Sequence, residues 1–73
     1  MKPETITRFK KAHSAVDIAI HGATAMIRCA ARKGWSESAL ATTQKRTGWQ
    51  ITRCGCDLNG FYLVAKQVSV DNA

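Results

Sequence analysis

The stretch ITRFKKAHSAVDIAIHGATAMIRCA, residues 6–30, can be read in two periods, and the choice between them sets the fold. Steps of three and four run through Ile6, Phe9, His13, Val16, Ile20, Ala23, Ile27 and Ala30, as one face of a helix requires. The opposing stripe of Lys11, Ser14, Asp17, His21, Arg28 and Arg32 is mostly polar. Inside this pattern Val16, Ile18 and Ile20 alternate as a strand would, but the helical pattern is longer and outweighs them. Pro3 and Glu4 suit a first helical turn, where a missing N–H costs nothing and an acid meets the helix dipole. Gly22 divides the stripe, since an internal glycine costs about 1 kcal/mol relative to alanine. Helices over about 4–21 and 24–33 are therefore expected, the second capped by Thr24 and ended at Lys33-Gly34.

Downstream, Ser36 is a good N-cap, Glu37 complements the dipole, and Gly48 is a stop, so a third helix is expected over 36–47. Leu40 is its one large apolar residue, so it must lean on a larger body. After Gly48 the period changes to two. Strands are expected over about 49–57 and 61–69, joined by a type I′ turn at Asn59-Gly60. That turn sets Leu58 opposite Phe61, Arg53 opposite Lys66, Ile51 opposite Val68 and Trp49 opposite Val70, with a bulge at Gly55. The expected class is α+β, helices followed by a C-terminal hairpin. In element order alone it resembles a winged helix-turn-helix arrangement, with 36–47 as the recognition helix.

The 73 residues allow one small domain, 1–73, too small for an enzyme-scale cleft. Cys29, Cys54 and Cys56 are an odd number, a poor fit to a closed disulfide framework. Met1-Lys2 is followed by Pro3-Glu4 and not by an apolar leader, and Asp17, His21 and Arg28 interrupt the most apolar stretch. The expectation is a cytoplasmic protein with reduced thiols and no membrane segment. Cys54 and Cys56 are closer than the usual Cys-x2-Cys metal spacing, and no acid or glycine-rich turn accompanies a nucleophile. No metal, cofactor or catalytic residue is assigned, and no enzymatic activity is expected. The cysteines read as small buried apolar residues.

Charge gives the functional expectation. Eleven Lys and Arg against five Asp and Glu leave +6. Nine of those cations lie between Arg8 and Arg53, where Asp17 and Glu37 are the only acids. Such a chain should bind phosphate backbones by releasing counterions. A small nucleic-acid-binding regulator, DNA its expected target, would use Arg28, Arg32, Lys33, Lys45, Arg46 and Arg53 for phosphates or guanine. Thr43 and Gln44 would sit beside them to meet base edges. The second class is a protein-interaction module, an inhibitor or adaptor of the kind carried by phages or mobile elements, docking through Trp35 and Trp49. A seam of small residues (Ala12, Ala15, Ala19, Gly22, Ala23 and Ala30) adds a homodimer to the expected partners.

Overall fold

The first helix stops at Ser14. In the computed structural model, which describes residues 1–68, the order is α1 (Pro3–His13), β1 (Ala15–His21), β2 (Thr24–Cys29), α2 (Glu37–Thr47), β3 (Trp49–Asp57) and β4 (Gly60–Gln67). Ser14 takes a left-handed conformation (φ 55°), and its N–H bonds the Phe9 carbonyl, so the helix ends in an αL cap. The expected helices over 4–21 and 24–33 are corrected from this point: 15–21 and 24–29 are strands.

The physical reason is in the alternation that the helical stripe overran. Every fourth residue of a helix is also an even step along a strand, so a three-four pattern can hide a two-period one. Val16, Ala23 and Ala30, all on the supposed helical stripe, are exposed. Ala25, Ile27 and Cys29, at strict strand spacing, are buried. β-branched Val16, Ile18 and Ile20 favour the extended chain. Gly22, at φ 62°, supplies the first position of a two-residue hairpin turn in place of a helix break.

The four strands form one antiparallel sheet in the order β1-β2-β4-β3, so two hairpins meet along β2 and β4. Both helices lie on one face. Between the layers sit Phe9, Ala15, Ala25, Ile27, Cys29, Trp49, Leu63 and Ala65, the core. α2 and the second hairpin fall where expected. Ser36 caps α2 by accepting the Ala39 N–H at 3.3 Å, and Gly48 ends it at φ 74°. Since a strand and a loop precede α2, the helix pair of a helix-turn-helix motif does not form.

The hairpin register differs from expectation. Asp57 pairs with Gly60 and Cys56 with Phe61, so Leu58 and Asn59 form the tip. Neither has positive φ; Gly60 alone takes it, at 108°. With negative φ at both tip residues and a glycine closing it, this is not the type I′ turn expected at Asn59-Gly60. The Asp57 carboxylate, accepting the Asn59 N–H at 2.8 Å, holds it there. Arg53 then faces Val64, Ile51 faces Ala65 and Trp49 faces Gln67, and the bulge falls at Thr52 instead of Gly55. β4 ends at Gln67, short of the expected 61–69 strand, and the expected Trp49–Val70 pair involves a position outside the described residues.

The chain is two αββ units. Landmarks recur 34 positions on (3 to 37, 13 to 47, 15 to 49), and each helix has eleven residues and an αL cap before its strand. No repeat is visible in the sequence because equivalent core positions carry opposite sizes. Phe9 in α1 corresponds to Thr43 in α2, and Ala15 in β1 corresponds to Trp49 in β3. A large residue on one side occupies space left by a small one on the other, which is how a dense core is filled.

The loop between β2 and α2 is tied to α1 by Gly34. At φ 75° it suits glycine, and a Cβ there would fall against the Ala12 carbonyl oxygen and 2.6 Å from His13 Nδ1. Gly34→Ala is expected to cost at least about 2 kcal/mol, from left-handed strain and forced displacement of α1. Differential scanning calorimetry should show a fall in Tm on the order of 10 °C. An unchanged Tm would show that the loop is not so constrained.

Candidate nucleic-acid interface

With both helices on one side, the other face of the sheet is uncovered among the described residues. Strand pairing assigns its residues in rows, because directly opposed residues share a face. One row runs Asp17, Arg28, Tyr62, Gly55; the next Ala19, Met26, Val64, Arg53; the third His21, Thr24, Lys66, Gln50. This face is mainly polar, with Met26, Val64 and Ala19 forming a low apolar strip between the outer rows.

Arg28 is the organised centre of the first row. Its Nη1 donates to Asp57 Oδ1 at 2.7 Å, and its guanidinium lies 5.8 Å from the centre of the Tyr62 ring. The Arg28 hydrogen bond, then the Asn59 N–H, holds the Asp57 carboxyl below its ordinary range, and the same carboxylate raises Arg28. Tyr62 packs over Gly55, where a Cβ would stand 2.9 Å from the phenol oxygen. Arg28 is thus partly neutralised and held over an aromatic ring. Arg53 and Lys66 are exposed, and among the described residues neither forms an ion pair.

The residues expected to bind nucleic acid fall on two faces. Arg28 and Arg53 reach the open face. Lys45 and Arg46 are exposed on α2, on the opposite side of the sheet, and half-buried Gln44 lines a groove with Lys45, Ala41, Gly48 and Val68. Arg32 and Lys33 belong to the loop before α2. The Arg32 guanidinium lies 5.1 Å from the Trp35 ring centre, and the Lys33 carbonyl accepts from His13. Thr43 is fully buried. One face carrying Arg28, Arg32, Lys45 and Arg46 together does not exist in this fold, and Thr43 has no route to a base edge.

The expected protein anchors also separate. Trp49 is 1% exposed, in the core between β3 and the helices, so it cannot dock a partner. Trp35 is half-buried, with its ring edge-on to Phe61 at 6.0 Å. Cys29 is buried, and burial raises its thiol pKa, whereas Cys54 and Cys56 are exposed on the helix side of β3. Among the described residues, no three His, Cys, Asp or Glu side chains converge as metal ligands would. No helix among them is long and apolar enough to cross a membrane.

Gln50, Thr24, His21 and Tyr62 join Arg53 and Lys66 on the open face without a motif that marks them in the sequence. The signal for Lys66 and Gln50 was present, since both fall in recognised strands. Reading those strands as one exposed face required knowing that the first 30 residues supply two more. Compared with family models, curated proteins and solved structures, the chain matches none.

Proposed function

We propose that the protein is a small regulator that binds nucleic acid through the open face of its sheet. The observation that carries this reading is an uncovered four-stranded surface presenting Arg53 and Lys66 beside Gln50, Thr24 and His21. The two cations suit phosphate oxygens, Gln50 suits a base edge, and Tyr62 offers a ring for stacking. Four strands about 4.8 Å apart span about 14 Å, a width comparable to a groove of duplex DNA. The cations of the helical layer add long-range attraction without setting orientation. The cytoplasm is the compartment of this reading, since exposed thiols such as Cys54 and Cys56 stay reduced there. No catalytic step is proposed.

Fluorescence anisotropy with a labelled duplex and a labelled single strand tests this. Arg53→Ala/Lys66→Ala should weaken binding about tenfold or more at moderate salt and flatten the salt dependence by roughly two phosphate contacts. Lys45→Ala/Arg46→Ala should have the smaller effect. The reverse ranking would move the site to α2, and no binding of either probe at low salt would end the proposal.

A further inference from the structure

We propose that two copies of this chain join edge to edge along β1, antiparallel about a dyad at Ala19, to make one continuous eight-stranded sheet. This does not depend on nucleic-acid binding.

β1 is an outer strand of the sheet. Which of its backbone groups point outward follows from its neighbours. Gln67 N–H donates to the Ala23 carbonyl at 2.8 Å, so in the alternation of an antiparallel ladder Ala25 and Ile27 bond β4. Thr24, Met26 and Arg28 then bond β1, through their partners His21, Ala19 and Asp17. The N–H and C=O groups of Ile18 and Ile20 are left pointing off the sheet.

A second copy of the same edge can meet these groups in a single register. Ile18 must stand opposite the second copy's Ile20, and by symmetry Ile20 opposite its Ile18. Each such pair exchanges both N–H···O bonds. A slip of two residues in either direction would bring Val16 at the bulge, or Gly22 in the turn, into the ladder.

The side chains agree with that register. Asp17 falls opposite the second copy's His21, an acceptor opposite a donor, twice over. Ala19 meets Ala19 on the dyad, where a larger side chain would crowd its own copy. On the helix side, Ile18 lines a groove of about 220 Å³ with Ile6, Lys10, Ala15 and Val16, and this register sets the second copy's Ile20 opposite Ile18 beside it. Val16 is 66% exposed and Ile20 43% exposed in the single chain, high for β-branched apolar residues on a short strand.

β1 also lacks the features that keep edges apart. Lone edge strands are commonly blunted by lysine, proline or a central bulge. From Asp17 to His21 there is neither lysine nor proline, and the bulge at Val16 lies at the start of the strand. β3, the other edge, carries its bulge at Thr52, mid-strand. For a domain this small, added burial between subunits is a common source of stability.

Light scattering coupled to size exclusion, on the full chain at about 20–200 µM, tests the proposal. The wild type should show twice the 8.0 kDa chain mass, and Ile20→Lys should be monomeric with unchanged circular dichroism. A second measurement fixes the register and does not depend on how Ile20→Lys folds. In a Cys54→Ser/Cys56→Ser background, Ala19→Cys places two thiols across the dyad in a non-hydrogen-bonded pair, close enough for a disulfide. It should cross-link readily on mild oxidation, while Thr24→Cys, one strand inward, should not. A monomeric wild type overturns the proposal, as does a dimer that survives in folded Ile20→Lys. Equal cross-linking at positions 19 and 24 overturns it too.

Discussion

Trp49→Ala is expected to leave the chain largely unfolded at 25 °C. Trp49 is the largest side chain fully enclosed by the two layers, and its removal opens a cavity in the core cluster that a 73-residue chain has little left to fill. Truncating a buried tryptophan costs about 3–5 kcal/mol. At about 0.05–0.15 kcal/mol per residue, total stability for this length is of similar size. Loss of the cooperative transition in a urea melt followed by circular dichroism is the expected result. Trp49→Phe should be milder, by about 1–2 kcal/mol, because the indole N–H makes no hydrogen bond among the described residues and only volume is lost. Leu58→Ala, at the fully exposed hairpin tip, should match the wild type. A folded Trp49→Ala would contradict the core placement described above. Because the side chain is enclosed, any loss of a partner by this variant would report unfolding and not a broken contact.

His13→Ala is the second large effect. His13 is fully buried at the end of α1, and both ring nitrogens are used. The Lys33 carbonyl can only accept, so Nδ1–H donates to it at 3.2 Å, leaving Nε2 to accept the Thr43 hydroxyl at 2.7 Å. One side chain thereby joins α1, the loop before α2, and α2. Removing it leaves a cavity and strips the buried Thr43 hydroxyl and the part-buried Lys33 carbonyl of their partner, about 3 kcal/mol together. The same geometry sets a pH dependence. Burial lowers the His13 pKa from its ordinary 6.5, and the positive charges of Arg8 and Lys33 push the same way against the Lys33 carbonyl bond, which raises it. The unfolded chain therefore binds the proton more readily than the folded one. Stability is fully present above about pH 6.5 and is lost as pH falls from there through the folded pKa. Urea midpoints between pH 7.5 and 5 should decline toward acid in the wild type and flatten in His13→Gln. A wild-type midpoint that rises toward pH 5 would show His13 to be held in its charged form.

The second half of the fold is legible in its sequence and the first half is not, for a definite physical reason. Ser36, Glu37 and Gly48 are local signals, and each acts where it stands: a hydroxyl on a free N–H, an acid in the first turn, a left-handed cap. The hairpin after Gly48 was legible in its strands but not in its turn, because Asp57 captured the Asn59 N–H and moved the tip one residue earlier. The stretch 15–29 carries both periods, and what decides between them is not local. Ala25, Ile27 and Cys29 are buried because β4 lies alongside with Leu63 and Ala65, contacts between residues 36 and 40 positions apart. The helix therefore ends at Ser14, an αL position that residue type alone does not announce.

The site followed the fold. Charge points to Arg28 and Arg53, and both reach the open face. The polar, basic run of α2 points to a solvent-facing Thr43, which is instead fully buried. Its i, i+4 partner Thr47 is buried with it, and the Thr47 hydroxyl donates to the Thr43 carbonyl at 2.6 Å, so both threonines serve packing. A small hydroxyl residue fits at 43 because His13 of α1 already reaches across to it and accepts its hydroxyl at 2.7 Å.

The most direct test of the open-face reading is a titration of ¹⁵N-labelled protein with a short DNA duplex, followed by amide chemical shifts. The shifts should concentrate on Thr24, Met26, Arg28, Gln50, Arg53, Tyr62, Val64 and Lys66, the rows of the uncovered face, with α2 little changed. Shifts centred on Thr42 to Arg46 and sparing those strands would contradict it.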